Sequence, residues 1–159
     1  MEPMLLHLHL VRHGQTFFNR YNRLQGWSNS PLTESGIADA DKAANKLKDF
    51  DFAAAYCSDT TRAQMTAQRI LDANEASGHV RPQLMSDMHF REQFYGYFEG
   101  QDMGVAWTAA GGLHGAKNYN DIVEKYGLVR RVTSSKRPIR STTPNPMPSI
   151  GRGSRPVLL

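Results

Sequence analysis

The fold of this 159-residue chain is decided near its start, by Leu6-His7-Leu8-His9-Leu10-Val11-Arg12-His13-Gly14. Leucines alternate with polar residues there, which predicts a half-buried strand that ends at Gly14. Ligands of parallel sheets sit beyond the carboxyl ends of the strands, and His13 follows this strand. Arg12 offers a forked donor for phosphate oxygens, and Gly14 permits a tight turn and close approach of a ligand to the backbone. A neutral imidazole beside a guanidinium can attack phosphorus, although the tripeptide alone favours a simpler interpretation, an ordinary histidine in a turn.

Strands and helices alternate along the rest of the first half of the chain. After the strand ending at Gly14, the sequence predicts a helix capped by Thr33 and a strand over residues 53–57. A helix capped by Asp59 or Thr60 and a strand over residues 83–86 follow. Two further helices are predicted over residues 102–110 and 119–126. This order predicts parallel strands with helices on the faces of the sheet. Cys57 is interpreted as a small buried strand residue, and Trp27 and Trp107 as packing residues.

The composition changes abruptly near residue 128. Residues 1–128 hold 12 Lys+Arg and 15 Asp+Glu, a net charge of −3, whereas residues 129–159 hold 7 Lys+Arg and no acid, a net charge of +7. Five of the eight prolines also lie in the basic tail. A segment without apolar periodicity cannot offset the entropy of ordering, so we predict a partial domain over residues 1–128 and a disordered tail over residues 129–159.

The sequence also indicates the compartment and the kinds of partner. A single cysteine, Cys57, excludes an intrachain disulfide, and we find no signal peptide and no apolar run long enough to span a membrane. We therefore expect a cytoplasmic protein without membrane contact. The basic tail lacks aromatic residues and an amphipathic period, so nucleic acid is not the expected partner. The sequence does not indicate an oligomeric state.

The Arg-His-Gly tripeptide belongs to the first of four short sequence blocks that follow one another along the chain. They are Leu10–Thr16 with Asn19, Gln25–Trp27 with Pro31–Gly36, Ser58–Ala63 with Thr66 and Ala67, and Arg91–Gly100. Together they resemble the histidine phosphatase superfamily, in its phosphoglycerate-mutase-like branch. The resemblance implies a three-layer α/β/α fold with a mainly parallel sheet, here incomplete at its C-terminal side.

The resemblance also implies a role for each matching residue. His13 would accept the phosphoryl group, and Glu92 would protonate the leaving oxygen, for which a carboxylic acid needs a raised pKa. The phosphate-binding and substrate-binding residues would be Arg12, Asn19, Gln25, Gly26 and Arg62. The expected partner is a small phosphorylated metabolite, and no metal or other cofactor is expected, because cationic side chains offset the charge of the transition state. Without the family pattern, Arg62, Glu92 and Asn19 would be interpreted as a solvated helix residue, a loop carboxylate and a turn residue.

One element of the family pattern is missing from the sequence. The family has a second pocket histidine, followed by glycine, on a later strand in the middle of the sheet. His114-Gly115 follows no strand pattern and comes too early, so we do not assign it. Loss of one such donor would cost about 10²–10³ in rate, and loss of its strand would leave apolar edges exposed. A shifted reading frame or a recombined end after Leu128 would explain the compositional break, and the encoding DNA tests this hypothesis.

Three functions therefore stay open at this stage. The first is phosphomonoester hydrolysis through a phosphohistidine on His13. The second is phosphoryl transfer of the phosphoglycerate mutase type, which shares the same signature. The third is an inactive fragment or anion-binding protein that holds phosphate through Arg12 and Arg62. The sequence itself does not identify the substrate.

Overall fold

The computed structural model describes residues 6–112, 115–116, 118–126 and 157–158. The chain forms two compact units, one of residues 1–100 with 151–159 and the other of residues 101–150. This division does not follow the boundary predicted at residue 128. All residues predicted to form the active site belong to the first unit.

The first unit is built on a parallel sheet. Its strands are β1 (Leu8–His9), β2 (Ala54–Ser58), β3 (Leu84–Asp87) and β4 (Val157–Leu158). They lie in the order β1-β4-β2-β3, and each neighbouring pair is parallel. The α/β class with a parallel sheet, predicted from the alternation of elements, is confirmed.

Three helices accompany these strands. They are α1 (Phe17–Arg20), α2 (Glu34–Leu47) and α3 (Thr61–Ala76), and the last two pack against each other. The Thr33 side chain caps α2 by accepting a hydrogen bond from the Gly36 N–H, as predicted. Thr60, one of the two predicted N-cap residues, precedes α3. The sequence interpretation missed α1, which a reciprocal pair of bonds between Thr16 and Asn19 starts.

The core of this unit lies where α2 and α3 meet the sheet. It consists of Ala44, Phe52, Ala55, Ile70, Leu71 and Leu158, of which none is more than 4% exposed. Ala44 lies on the buried face of α2, and Ile70 and Leu71 lie on the buried face of α3. Leu158 reaches the same core from the tail.

The position of β4 corrects the interpretation of the tail at two residues. Val157 pairs with Leu8 of β1 and Ala54 of β2, and Leu158 pairs with His9 and Ala55. The backbone of β4 pairs with a parallel strand on each side, and the Leu158 side chain is buried there with 1% of its surface exposed, which favours an ordered segment. The rest of the predicted disordered tail lies outside the described residues.

The strand β1 lies at an edge of the sheet in the part of the chain that the structure describes. It is shorter than predicted, because its neighbour β4 offers only two residues for pairing. Leu6, Leu8 and Leu10 are 52%, 51% and 77% exposed, which leaves a row of apolar side chains at this edge. Exposed apolar side chains on an edge strand favour association between chains.

The second unit contains two described helices, α4 (Met103–Gly111) and α5 (Tyr119–Tyr126). Both match predicted helices, and the Asp102 side chain caps α4 by accepting from the Val105 N–H at 3.1 Å. The Trp107 ring packs against Tyr119 with 5.3 Å between the ring centres. None of the described helices is both long and apolar enough to cross a membrane.

Candidate active site

Two glycines set the backbone that carries His13. A Cβ atom on Gly14 would lie 2.2 Å from the Gly36 carbonyl oxygen, and one on Gly36 would lie 2.0 Å from the Gln15 oxygen. The loop after β1 therefore packs directly on the first turn of α2, which only glycine allows at these two places. Gly14 was predicted to let a ligand approach the backbone, but the group that approaches it is a neighbouring helix.

The His13 ring is held at both of its nitrogen atoms. Nδ1 lies 2.8 Å from the Gly14 carbonyl oxygen, which can only accept, so Nδ1 carries the proton. Nε2 then has a free lone pair, which accepts from Arg62 Nε at 3.2 Å. Burial lowers the pKa of His13, the Gly14 carbonyl opposes this, and the charges of Arg62 and Arg12 lower it further. The imidazole is therefore neutral at pH 7 with its lone pair on Nε2.

Arg62 is buried at the start of α3, with 3% of its surface exposed. Its Nη1 donates to the Ser28 carbonyl at 3.0 Å, and its Nη2 donates to the Gly26 carbonyl at 2.7 Å. Burial lowers its pKa, while Glu99 and Glu92 raise it. The guanidinium thus joins the loop around residue 27 to the nucleophile candidate, and its role in binding phosphate stays a prediction.

Arg12 and Asn19 both have donor groups without partners in the part of the chain that the structure describes. Arg12 is exposed and makes no hydrogen bond or ion pair within the described residues. The Asn19 Oδ1 accepts from the Thr16 N–H at 3.1 Å and from Thr16 Oγ1 at 2.9 Å. These bonds fix the Asn19 side chain by its oxygen, which leaves its Nδ2 group available to an anion.

Gln25 supports the site from behind. Its Nε2 donates to Thr16 Oγ1 at 2.5 Å, while its Oε1 accepts from the Ser30 N–H at 3.1 Å and from Arg62 Nη1 at 3.2 Å. This orientation is required because the single Thr16 hydroxyl proton already goes to Asn19. Gln25 therefore links Thr16, which holds Asn19, to Arg62, which contacts His13.

Glu92 lies in an exposed loop after the 3-10 helix Met88–Phe90. Its carboxylate accepts a hydrogen bond from the Gln93 N–H at 2.8 Å. Its backbone carbonyl accepts from the indole nitrogen of Trp27 at 3.1 Å. Its charge raises the pKa of both His13 and Arg62.

Glu99 is a site residue that the sequence interpretation did not single out. Its carboxylate accepts from the N–H groups of Gly26 (3.2 Å), Trp27 (2.9 Å), Ser28 (3.0 Å) and Tyr95 (3.1 Å), and from Ser28 Oγ (2.6 Å). It thus ties the loop that Arg62 contacts to the loop that follows Glu92. Glu99 belongs to the fourth sequence block, which is the only feature of the sequence that could have pointed to it. That block did not indicate its contact with Gly26, which lies 73 residues away.

We expect the stability of the chain to depend on Glu99 in a pH-dependent way. Burial raises the pKa of Glu99, but the hydrogen bonds from Ser28, Trp27 and Tyr95 lower it more, to about 2. A carboxyl whose pKa falls on folding stabilises the folded state above its unfolded pKa, and this contribution is lost as the pH falls toward 2. Glu99→Gln should therefore lower the free energy of unfolding by about 2–3 kcal/mol at pH 7 and by much less near pH 2.5.

Urea unfolding at several pH values measures this difference. Glu124→Gln, at an exposed position of α5, is the matched control and should change the free energy of unfolding by less than about 0.5 kcal/mol at either pH. A Glu99→Gln effect that stays constant between pH 7 and pH 2.5 would contradict the assignment.

The side chains described above surround one open hollow of about 770 Å³. Its polar wall includes Arg12, His13, Asn19, Gln25, Arg62 and Glu92. Its apolar lining includes Leu10, Val11, Ile70 and Leu158. Among the described residues, His13 is the only histidine that lines the hollow.

Comparison with known proteins identifies the family. The model of the histidine phosphatase superfamily, branch 1, matches residues 8–119. The chain belongs to the histidine phosphatase superfamily. The resemblance noted in the four sequence blocks is thereby confirmed.

Individual relatives of the superfamily include mutases and a phosphatase. The chain is 39% identical over 101 residues to a 2,3-bisphosphoglycerate-dependent phosphoglycerate mutase of Gloeobacter violaceus, and the match covers 64% of this chain and 44% of that protein. It is 37% identical over 97 residues to a fructose-2,6-bisphosphatase of Xenopus laevis, covering 60% of this chain and 34% of that protein. The chain thus spans less than half the length of these relatives.

A solved structure supports the same fold. The phosphoglycerate mutase of Bacillus anthracis is 36% identical and superposes with a TM-score of 0.66, covering 74% of this chain and 50% of that one. The histidine phosphatase fold predicted from the sequence is therefore confirmed.

The structure brings most of the predicted site residues together. His13, Glu92, Arg12, Asn19, Gln25 and Arg62 all line the hollow. Gly26 does not, because it is buried under the loop after Glu92, where a Cβ atom would lie 2.1 Å from the Gln93 oxygen. It serves instead as the carbonyl that accepts from Arg62. The catalytic roles of these residues stay predictions of the family resemblance.

Proposed function

We propose that this chain is a phosphomonoester hydrolase that forms a phosphohistidine intermediate on Nε2 of His13. The supporting observation is the way the ring is held. Nδ1–H is committed to the Gly14 carbonyl, and the Nε2 lone pair points toward the Arg62 guanidinium at the wall of the hollow. A neutral imidazole with a directed lone pair beside a fixed cation is suited to attack an electron-poor phosphorus atom.

In the first step, the Nε2 lone pair forms a bond to phosphorus while the bond from phosphorus to the ester oxygen breaks. The ring then carries a positive charge, because it holds a proton on Nδ1 and the phosphoryl group on Nε2. The Gly14 carbonyl, 2.8 Å from Nδ1, stabilises that charge. It also keeps the ring in the orientation that attack requires.

The phosphoryl oxygens gather negative charge in the transition state. The donors of Arg12 and the Asn19 Nδ2 group are available to bind these oxygens, since neither has a partner among the described residues. Arg62 contributes differently. Its Nε–H, which donates to Nε2 in the free protein, would pass to a phosphoryl oxygen once phosphorus occupies that side of the ring. Cationic side chains thereby offset the charge that a metal ion offsets in other phosphoryl-transfer enzymes.

Glu92 is the proposed acid and base. As the ester bond breaks, its protonated carboxyl gives a proton to the leaving oxygen and becomes a carboxylate. A water molecule then attacks phosphorus, Glu92 takes one proton from that water, and the bond between phosphorus and Nε2 breaks. Inorganic phosphate leaves, and His13 returns to its neutral form with the proton on Nδ1.

Transfer of the phosphoryl group to a second substrate is the alternative, and the names of the relatives favour it. Two of the similar proteins are phosphoglycerate mutases. The first step on His13 would be the same in a mutase. The difference lies in the acceptor, which is water in a hydrolase and a phosphoglycerate in a mutase.

Trapping the intermediate tests the proposal. The purified chain is mixed with a ³²P-labelled aryl phosphate, quenched in alkali, and digested to locate the label. Label that is stable in alkali, labile in acid and located in the peptide holding His13 supports the phosphohistidine. Release of inorganic phosphate without 3-phosphoglycerate supports a hydrolase, whereas transfer to 3-phosphoglycerate supports a mutase. A folded monomer, verified by circular dichroism, that neither labels nor turns over would exclude both and leave an anion-binding protein.

A further inference from the structure

A forked ion pair joins the two sides of the hollow outside the predicted catalytic set. Asp59 follows β2 directly, and Arg91 directly precedes Glu92. Arg91 Nε donates to Asp59 Oδ1 at 2.5 Å, and Arg91 Nη2 donates to Asp59 Oδ2. Both side chains are about one quarter exposed, and the Arg91 bond lowers the pKa of Asp59. Asp59 therefore stays ionised and tethers the Glu92 loop to the start of α3.

Trp27 also contacts the loop that carries Arg91 and Glu92. Its indole N–H donates to the Glu92 carbonyl oxygen at 3.1 Å, and the Arg91 guanidinium lies 4.7 Å from its ring centre. Its own backbone N–H donates to Glu99 at 2.9 Å, so the ring stands on a fixed loop. Arg91 is thus held between a carboxylate and an aromatic face, which is a favourable arrangement for a guanidinium.

Glu92 depends on these contacts because its own carboxylate is weakly held. In the part of the chain that the structure describes, that carboxylate accepts a bond only from the adjacent Gln93 N–H. The position of the acid relative to His13 is therefore set through the backbone of residues 91 and 92. A displacement of about 1 Å at a reacting group can cost on the order of 10²-fold in rate.

We propose that Asp59, Arg91 and Trp27 are positioning residues that hold Glu92 over the leaving oxygen. The inference rests on the proposed function, in which Glu92 protonates that oxygen. It predicts a specific kind of defect when the assembly is broken. Proton donation should fail while attack by His13 continues, because neither Asp59 nor Trp27 contacts the imidazole.

Leaving groups of different basicity separate these two steps. A 2,4-dinitrophenolate leaves without a proton, whereas the alkoxide of a simple alkyl phosphate needs one. Asp59→Asn and Trp27→Phe should therefore slow the labelling of His13 by an alkyl phosphate by about 10–100-fold. The rate at which 2,4-dinitrophenyl phosphate labels His13, measured before the phosphohistidine is hydrolysed, should change by less than about 3-fold, because this step needs no acid. Trp27→Phe retains an aromatic face for Arg91 and removes only the bond to the Glu92 carbonyl.

A control variant and a double variant complete this test. Asp41→Asn is the matched control, because it breaks an exposed ion pair with Arg69, 2.6 Å long, that lies outside the hollow. It should leave both substrates unaffected. In a Glu92→Gln background, Asp59→Asn should cause no further loss, since the residue it positions can no longer donate a proton.

The possible results are distinguishable. Equal losses for both substrates, or additive losses in the double variant, would overturn the positioning role while leaving the phosphohistidine intact. If the unaltered chain fails to label His13 even with 2,4-dinitrophenyl phosphate, the proposed function itself is wrong. If Asp59→Asn does not fold, Trp27→Phe alone decides, because it leaves the Asp59–Arg91 pair in place.

Discussion

Replacing His13 with alanine is expected to abolish labelling by a ³²P-labelled aryl phosphate, with a fall of at least about 10³-fold below the unaltered chain. The reason is that no other nitrogen in the described wall of the hollow has a free lone pair. Arg12, Asn19, Gln25 and Arg62 supply only guanidinium or amide nitrogens. Alkaline quench followed by peptide mapping measures the loss at the site itself, apart from any contaminating phosphatase.

His89→Ala is the matched control for this experiment. Its imidazole is 86% exposed, it bonds to Asp87, and it does not line the hollow. The variant should label as the unaltered chain does. Label that survives in His13→Ala at the normal level, or that maps to another peptide, would contradict the proposed nucleophile.

Replacing Arg62 with methionine is expected to damage both the fold and the reaction. The side chain of similar length leaves the Gly26 and Ser28 carbonyls without their donors, and each unsatisfied buried carbonyl costs about 1–3 kcal/mol. We therefore expect the free energy of unfolding to fall by about 2–4 kcal/mol. Labelling of His13 should fall by about 10²–10³-fold, because the ring and the phosphoryl group lose their fixed donor.

Urea unfolding and the labelling assay, run on the same preparation, measure the two losses. Arg69→Met is the matched control, since Arg69 lies on the same helix but is 37% exposed and pairs only at the surface. Its effect on the free energy of unfolding should stay below about 1 kcal/mol. Arg62→Lys retains the charge without the fork and should recover little of either property. Normal stability and labelling in Arg62→Met would show that the contacts described for Arg62 are unimportant.

Local features of the fold were predictable because the residues that cause them are close in sequence. Thr33 caps α2 through the N–H three residues later, and the spacing of Ala40 and Ala44 identifies the buried face. The length of β1 was not predictable in this way, since strand length depends on the partner strand, and β4 comes from more than 140 residues later. The helix α1 was missed because asparagine occupies the capping position where glutamate or glutamine is the usual signal.

The residues of the site could be predicted only where they match the family pattern. The four blocks indicated His13, Arg62 and Glu92, which do line one hollow. They did not indicate that the donors of Arg62 are largely taken by backbone carbonyls. Nor did they indicate Glu99 and Asp59 as loop ties, because both make their contacts with residues more than 30 positions away. Contacts of that range follow from packing, which periodicity does not describe.

The central place of β4 has a consequence for biosynthesis. The strands β1 and β2 do not pair with each other, and each borders β4 in the sheet. A nascent chain therefore emerges from the ribosome with the edges of both strands unpaired until residues 157 and 158 have been translated. During that interval the leucine-rich start of the chain and the inner face of α3 are available to chaperones or to other nascent chains. We expect slow synthesis to make this protein a chaperone client, because the sheet closes only after residues 157 and 158 have been made.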